Sequence, residues 1–317
     1  MMGPTIAQRA LYAEAEIGVT IEFMHRLEGN GPDPLLVLAT EVPSKAAIER
    51  HFFLGDVPAF APWRSDRVMS TLMAHRFTIE NQDFASGIEI HKNEIEDDQL
   101  GLVAPRIADL ANKAARHKGD YMIRALLQGF TGNAYPVEDV GDGKSFDGVL
   151  FFSTAHTLEG GPAQSNKITT ALSEAGLEEA EIKMANLKTW DGKDPLDLTP
   201  THLIVGPKLA NTARKLLNAN TIVNAAGTAS SSNVYAGRYQ IIESKRLTGA
   251  YDDYWFLAAL GHATKPFIFQ NRAPITTAAS VDWSSDDMFK RGMMKFGAQG
   301  RYGIGPYDWR TVIGSAV

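Results

Sequence analysis

From Asn93 to Phe130 the chain sets an acidic lead-in before a long amphipathic segment. Leu100, Val103, Ile107, Leu110 and Ala114 recur at spacings of three and four, which makes one apolar stripe on a helix, while Arg106, Asp109, Lys113 and Arg116 point elsewhere. Glu94, Glu96, Asp97 and Asp98 fall where a helix N-terminus carries partial positive charge, and Arg116, His117 and Lys118 fall at a carbonyl end before Gly119. Pro105 predicts that the regular helix begins near Ala104 or kinks there. Asp98 to Lys118 would span roughly 30 Å at about 1.5 Å per residue. A one-sided helix of that length needs a flat surface or a neighbouring subunit along it.

The 317 residues and 44% hydrophobic content allow roughly two domains. The chain has no cysteine, which excludes disulfides, thiolate metal sites and cysteine nucleophiles. With a net charge of −6 and no basic stripe, binding to nucleic acid by charge neutralisation is not expected. Neither a signal-peptide layout at the N-terminus nor an apolar run of membrane length stands out, so a soluble, reducing compartment is expected.

Residues 1–49 read as an arm. Ile6 to Leu27 is compatible with a helix, Asn30 to Pro34 ends it, and Leu35 to Lys45 reads as extended. Residues 50–92 read as a projecting β excursion, with a strand at His51 to Leu54, a short helix at Ala61 to Met73, and alternating returns through Phe77, Ile79, Ile88 and Ile90. A hairpin alone in water is marginal, so a partner is expected to hold it. Trp63, Arg64 and Arg67 near its outer part are residue types that dominate interface energetics, and they are the expected intersubunit contact.

Beyond the long helix a Gly- and Asp-rich loop leads to a second amphipathic helix through Leu177, Ala180, Met184 and Leu187. A buried strand at His202 to Val205 runs into a helix with Leu209, Ala213 and Leu216 on one face. Asn218 to Asn233 is polar and low in complexity, which predicts a mobile surface loop. Strands are expected at Tyr239 to Glu243, Tyr254 to Leu260, Pro266 to Asn271, Met288 to Phe296 and Arg301 to Arg310, giving an α+β chain with helices first and sheet last.

No catalytic, cofactor-binding or metal signature emerges. The segment Gly141-Asp142-Gly143-Lys144-Ser145 ends like a phosphate loop but has Glu138 where the first glycine belongs, so it reads as a surface loop. The eight histidines are scattered, and the carboxylates from Glu94 to Asp98 are better explained by a helix terminus than by acid–base chemistry.

The order of arm, β excursion, long helix, mixed region and sheet resembles the Hong Kong 97-type major capsid fold of tailed phages. Five collinear stretches are similar to the Mu-like phage major head subunit family: T-I-E-N-Q-D-F from Thr78, N-E-I-E-D-D-Q-L-G from Asn93, F-F-S-T-A-H from Phe151, T-P-T-H-L-I-V-G-P from Thr199 and K-P-F-I-F-Q-N-R from Lys265. Phe296-Gly297, Arg301, Gly305 and Trp309 also fit its C-terminal pattern.

The resemblance implies an N-arm (1–49), an E-loop (50–92), a spine helix with its continuation in the peripheral domain (93–130), a mainly axial region (131–236) and a C-terminal sheet returning to the peripheral domain (237–317). It implies a virion shell subunit, assembled in the host cytoplasm into hexamers and pentamers around double-stranded DNA that it does not read by sequence. A scaffold or maturation protease, a portal and a decoration protein are the implied partners, with no membrane, cofactor or enzymatic activity. The alternatives are an encapsulin-type nanocompartment shell and a hydrolase using the Glu94 to Asp98 carboxylates.

Overall fold

The computed structural model describes residues 6–53, 55–56, 75–96, 100–132, 141–157, 162–189, 192–219, 221–223, 230–282 and 285–317. In chain order the helices are α1 (Ile6–Gly29), α2 (Lys92–Glu96), α3 (Leu100–Thr131), α4 (Glu174–Ala185), α5 (Pro207–Asn218) and α6 (Asp286–Arg291). The strands before α4 are β1 (Ala39–Pro43), β2 (Ile48–Phe53), β3 (His75–Glu80), β4 (Gln82–His91) and β5 (Lys167–Ile168). Those after it are β6 (His202–Val205), β7 (Thr221–Val223), β8 (Ser230–Ser232), β9 (Gln240–Glu243), β10 (Trp255–Ala258), β11 (Phe267–Ser280), β12 (Met293–Pro306) and β13 (Val312–Ser315). The two larger sheets have the orders β1-β11-β12-β4 and β5-β13-β10-β6-β9.

One unit comprises residues 1–33, 81–120 and 271–303. Here β4 and β12 pair antiparallel over ten residues, from Met293 opposite His91 to Tyr302 opposite Gln82. Their inward residues Ile90, Met294, Phe296 and Ala298 join Ile107, Leu110 and Ala111 of α3 and Phe23 of α1 in one apolar cluster. The described part of the stripe faces this core: Ile107 and Leu110 are buried and Ala114 packs against them, while Arg106 and Asp109 are exposed. Pro105 does not mark the start of α3, which begins at Leu100 and runs through it. α6 is closed by Ser285, whose hydroxyl accepts from the Met288 amide, and by Gly292 at φ 64, a conformation that glycine takes without steric cost. Met288 is therefore helical and not the first residue of a strand, as its apolar neighbours had suggested.

The other unit comprises residues 34–80, 121–270 and 304–317. Its five-stranded sheet has β10 antiparallel to both β13 and β6, with Trp255 between Ser315 and Val205, and β6 parallel to β9. Every residue of β10 and β13 is buried, as expected for strands covered on both faces. α3 is buried on nearly all sides from Tyr121 to Phe130, where it stops being amphipathic. Gly119 does not end it, so Arg116, His117 and Lys118 lie within the helix and not at its carbonyl end.

Several expectations are corrected. The helix expected over Ile6 to Leu27 is present as α1, but the stretch expected to be extended from Leu35 opens with a 3-10 turn at Pro34–Leu38 before β1. The 50–92 excursion is divided: β2 pairs with β3, but β4 pairs with β12. In α5 Ala213 of the expected stripe is buried, but it is joined by Ala210 and Leu217 in place of Leu209 and Leu216, both of which are half-buried. Part of the low-complexity loop is ordered as the β7–β8 pair, and the Asn233 amide ties its end to the Leu216 and Ala219 carbonyls at 2.6 and 2.7 Å. Strands also precede the helices α3 to α6 throughout, so helices and sheet are interleaved instead of ordered one after the other.

Candidate functional site

The strands β2 and β3 form a two-stranded ribbon from Ile48 opposite Glu80 to Phe53 opposite His75. Period-two alternation gives it two unlike faces. His51, Phe53, His75, Phe77 and Ile79 are turned inward, whereas Ile48, Arg50, Phe52, Arg76 and Thr78 are exposed. Ile48 and Phe52 remain 53% and 45% exposed, and the Arg76 guanidinium lies 5.9 Å from the Phe52 ring centroid. Apolar and cationic groups thus share an outer face that the described residues leave open.

The inner face is held rigidly. The Phe53 and Phe146 rings stack at 4.0 Å, and Tyr307 sits within 6 Å of both Phe53 and Phe77. The fully buried Gln270 amide donates to His51 Nε2 at 2.7 Å. Burial holds the His51 imidazole below its usual pKa against the pull of Glu49, and it pushes the Tyr307 phenol up. At the far end of the strand, Glu49 accepts from the Lys45 and Ala46 amides and the Ser44 hydroxyl, and these bonds lower its pKa.

Arg310 locks the root. Its Nε and one Nη donate to the two Asp308 oxygens at 2.9 and 3.0 Å, the other Nη reaches Asp56 at 2.6 Å, and the guanidinium lies 5.0 Å from the Phe53 ring centroid. Burial alone would raise the Asp308 carboxyl, but the charge and hydrogen bonds of Arg310, with the Thr264 hydroxyl, hold it below the usual carboxylate range. Asp56 lies just beyond β2, so the lock bears on the point where the ribbon leaves the body of its unit.

A second buried network lies in the F-F-S-T-A-H stretch. His156 stacks on Trp309 at 3.9 Å, its Nδ1 faces Asp147 at 2.5 Å, and its Nε2 faces Asn166 Oδ1 at 3.2 Å. The Asn166 amide donates to the Phe151 and Trp309 carbonyls. An Asp–His pair resembles catalytic machinery, but here both ring nitrogens are engaged, the ring face is covered and His156 is wholly buried. The pair ties loops together.

Of the residues singled out from sequence, Trp63, Arg64 and Arg67 lie outside the described residues. Leu100 and Val103 lie on α3, where only their backbone is described, and Ile107 and Leu110 are in the core. Glu94 is exposed on α2, and Asp97 and Asp98 lie outside the described residues. Among the described residues there is no cluster of three His, Cys, Asp or Glu able to hold a metal, and no helix long and apolar enough to cross a membrane. Sequence reading missed Arg310, Asp308 and Asp56 altogether. Only the D-W-R order of Asp308 to Arg310 hinted at a local acid–base pair, and nothing hinted at Asp56, 254 positions away.

The sequence model of the family described as "Mu-like prophage major head subunit gpT" matches residues 14–171, 163–247 and 244–316. The Mu-like prophage FluMu major head subunit of Haemophilus influenzae is 31% identical over 127 residues, 40% of this chain and 38% of that one. The major capsid protein of Escherichia phage Mu is 27% identical over 137 residues, 43% of this chain and 41% of that one. The matches therefore span about two fifths of the length of these curated relatives. Among solved structures, a chain of the bacteriophage JBD30 procapsid aligns with a TM-score of 0.54 at 21% identity, over 97% of this chain and 75% of that one.

Proposed function

The chain belongs to the Mu-like prophage major head subunit family and has its Hong Kong 97-type α+β fold, and from this we propose that it is the shell-forming subunit of a Mu-like phage or prophage head. In this reading, copies assemble into hexamers and pentamers of an icosahedral shell around double-stranded DNA, and the protein resides in the virion. The observation that carries the reading to particular residues is the β2–β3 ribbon, which is clamped at its root by Arg310 and exposes Ile48, Phe52 and Arg76 on the other face.

The segment from Arg50 to Lys92 then acts as the E-loop. Trp63, Arg64 and Arg67 make the contact to the neighbouring subunit, and α3 serves as the spine, with Leu100, Val103, Ile107 and Leu110 packing it. β4 is the part of this assignment that differs, since it belongs to the sheet of β12. Residues 1–49 are the arm, 131–236 the mainly axial region, and 237–317 return to the peripheral domain. The role of the subunit is structural and needs no active site.

A net charge of −6 suits DNA that a separate motor drives into the shell, because attraction to the wall would oppose its movement. A scaffold or maturation protease, a portal and a decoration protein would complete the assembly in the host cytoplasm. Electron microscopy of the purified chain, expressed with its neighbouring head genes, tests the reading: closed shells are expected. A stable monomer under every such condition would overturn it. Shells filled with an enzyme instead of DNA would favour a nanocompartment.

A further inference from the structure

The antiparallel pair β4–β12 is filled at one end and open at the other. Toward Met293 the inward residues are large: Ile90 opposite Met294 and Ile88 opposite Phe296 pack into the core against α3. Toward Tyr302 they shrink, with Ser86 opposite Ala298 and Gly300 opposite Phe84, and α3 sets Ala114 against them. The missing side-chain volume leaves a cavity of about 250 Å³, walled by Phe84, Ile275 and Tyr302 and by Lys113 and His117 of α3. An apolar cavity of about 150 Å³ already accepts a benzene ring. Ala85, Ser86 and Lys113 in its wall are exposed, so it opens to solvent beside β4.

The same strand is the edge of its sheet. β4 ends the order β1-β11-β12-β4, and the described strands pair with it on one side only. Terminal strands are ordinarily blunted by charge, proline, a bulge or brevity. β4 runs ten residues in unbroken register, and its middle, Ala85-Ser86-Gly87, is exposed and carries neither charge nor proline. A strand laid along this edge would sit about 4.8 Å from β4, and a side chain on its inner face opposite Ser86 would enter the cavity.

The charges select the kind of strand. No carboxylate lines the cavity. From Leu110 to Gly119 α3 carries Lys113, Arg116 and Lys118 and no acid. Lys118 Nζ lies 5.7 Å from the Tyr302 ring centroid, and His117 Nδ1 meets the Tyr302 hydroxyl at 2.5 Å. The Phe84 and Tyr302 rings stack at 4.7 Å, which makes the walls aromatic. The complement is an aromatic side chain with carboxylates two residues away on the same face of an extended segment. The chain's own open strands do not supply it. The outer face of β2–β3 sets Phe52 beside Arg50 and Arg76, like charges for this basic rim, and β1, β5, β7, β8 and β9 contain no aromatic residue.

We infer that β4 is a docking edge for an extended, acidic segment of a different protein, which adds to the sheet beside β4 and places an aromatic side chain in the cavity between α3 and β12. Main-chain bonds to β4 supply affinity, and the cavity with its basic rim selects the side chains. The inference goes beyond the shell reading and does not depend on it.

The probe is a capped, fluorescein-labelled peptide with Phe at its centre, Glu two residues to either side and Thr at the alternate positions. Fluorescence anisotropy with the full chain should show saturable binding. Ser86→Phe, which fills the cavity, and Lys113→Glu, which reverses the charge in its wall, should each weaken binding by about tenfold or more. Circular dichroism checks that both variants fold, and Lys113, being exposed, keeps the test open if Ser86→Phe does not. N-methylation of alternate peptide amides separates strand pairing from mere filling of the cavity. Methyl groups on the amides that face β4 should abolish binding, and methyl groups on the other set should leave it unchanged. Equal binding by the two methylated peptides, undiminished binding to Lys113→Glu, equal binding of a peptide with Lys in place of Glu, or no binding at millimolar peptide each overturns the inference. So does a chain that dimerises as its concentration rises and is dispersed by the peptide, because the edge would then belong to a second copy. None of these measurements needs a shell, so their failure is distinct from a failure to assemble.

Discussion

Arg310 and Asp308 are two residues apart and both 1% exposed or less, and the guanidinium closes on the carboxylate through two nitrogens while a third reaches Asp56. Removing one partner of such a pair strands the other charge. Arg310→Met is expected to cost about 3–5 kcal/mol, and Arg310→Met with Asp308→Asn distinctly less, because no unpaired charge is left behind. Urea unfolding midpoints measure both. The pH dependence has a definite sign. Because the folded Asp308 carboxyl is held below its ordinary value, its contribution is present above the unfolded pKa of about 3.9 and is lost as pH falls through the lower folded value. In Arg310→Met the restraint disappears and burial raises the carboxyl, so protonation relieves the stranded charge and the variant's stability deficit against the parent chain should shrink as pH falls through the carboxylate range.

The apolar stripe of α3 gives a sharper mutational contrast. Ile107 is 1% exposed among Phe23, Ile90 and Met294, whereas Asp109 is exposed on the other side of the same turn. Ile107→Asp should cost on the order of 3–5 kcal/mol from lost packing plus a buried carboxylate, enough to remove soluble protein. Asp109→Ala should fall within about 0.5 kcal/mol of the parent. Equal tolerance in a solubility and thermal-melt comparison would place the stripe on the wrong face.

That stripe was legible because its period and its charged far side agree over several turns. Other elements show where such reading stops. In α5 the periodicity is real, yet Leu209 and Leu216 are only half-buried while Ala210 and Leu217 are buried, since hydrophobicity does not say which side the sheet will cover. The α6 helix was announced by Ser285 before it, by Asp286 and Asp287 in its first turn and by Gly292 after it, but its apolar residues looked like a strand. The division of the β excursion depended on β12 as partner of β4, which lies some two hundred residues downstream and leaves no local mark. Arg310 is the limiting case. An arginine in a strand-rich C-terminal stretch reads as surface until the fold brings Asp56 to it.

The glycines of the phosphate-loop lookalike have a different job. Gly143 has φ 69, and a Cβ there would stand 2.3 Å from the Gln128 carbonyl oxygen of α3. Gly141 has φ 77 with open space around it. Gly143→Ala should therefore be clearly worse than Gly141→Ala, which carries only the backbone penalty of about 1–2 kcal/mol. Thermal melts of the two variants compare them directly. If the segment held phosphate instead, nucleotide would raise the melting temperature of the parent chain.

The ribbon carries the last and most consequential expectation. Its root is fixed by Phe53, Phe146, Tyr307 and Arg310, so changes beyond the root should not propagate into the fold. Trp63, Arg64 and Arg67 lie between β2 and β3 in the chain, outside the described residues, and on the E-loop reading they face another subunit. Trp63→Ala with Arg64→Ala should leave circular dichroism nearly unchanged while shells fail to form or dissociate at lower denaturant. Phe53→Ala, at the root, should instead unfold the chain, losing about 3–5 kcal/mol of packing. The two classes of variant separate assembly from folding in one pair of measurements. If the tip variant melts like the root variant, Trp63 is packed inside its own subunit, and if it assembles normally the tip is open to solvent. In either case the intersubunit assignment of these residues fails, while the family and the fold stand.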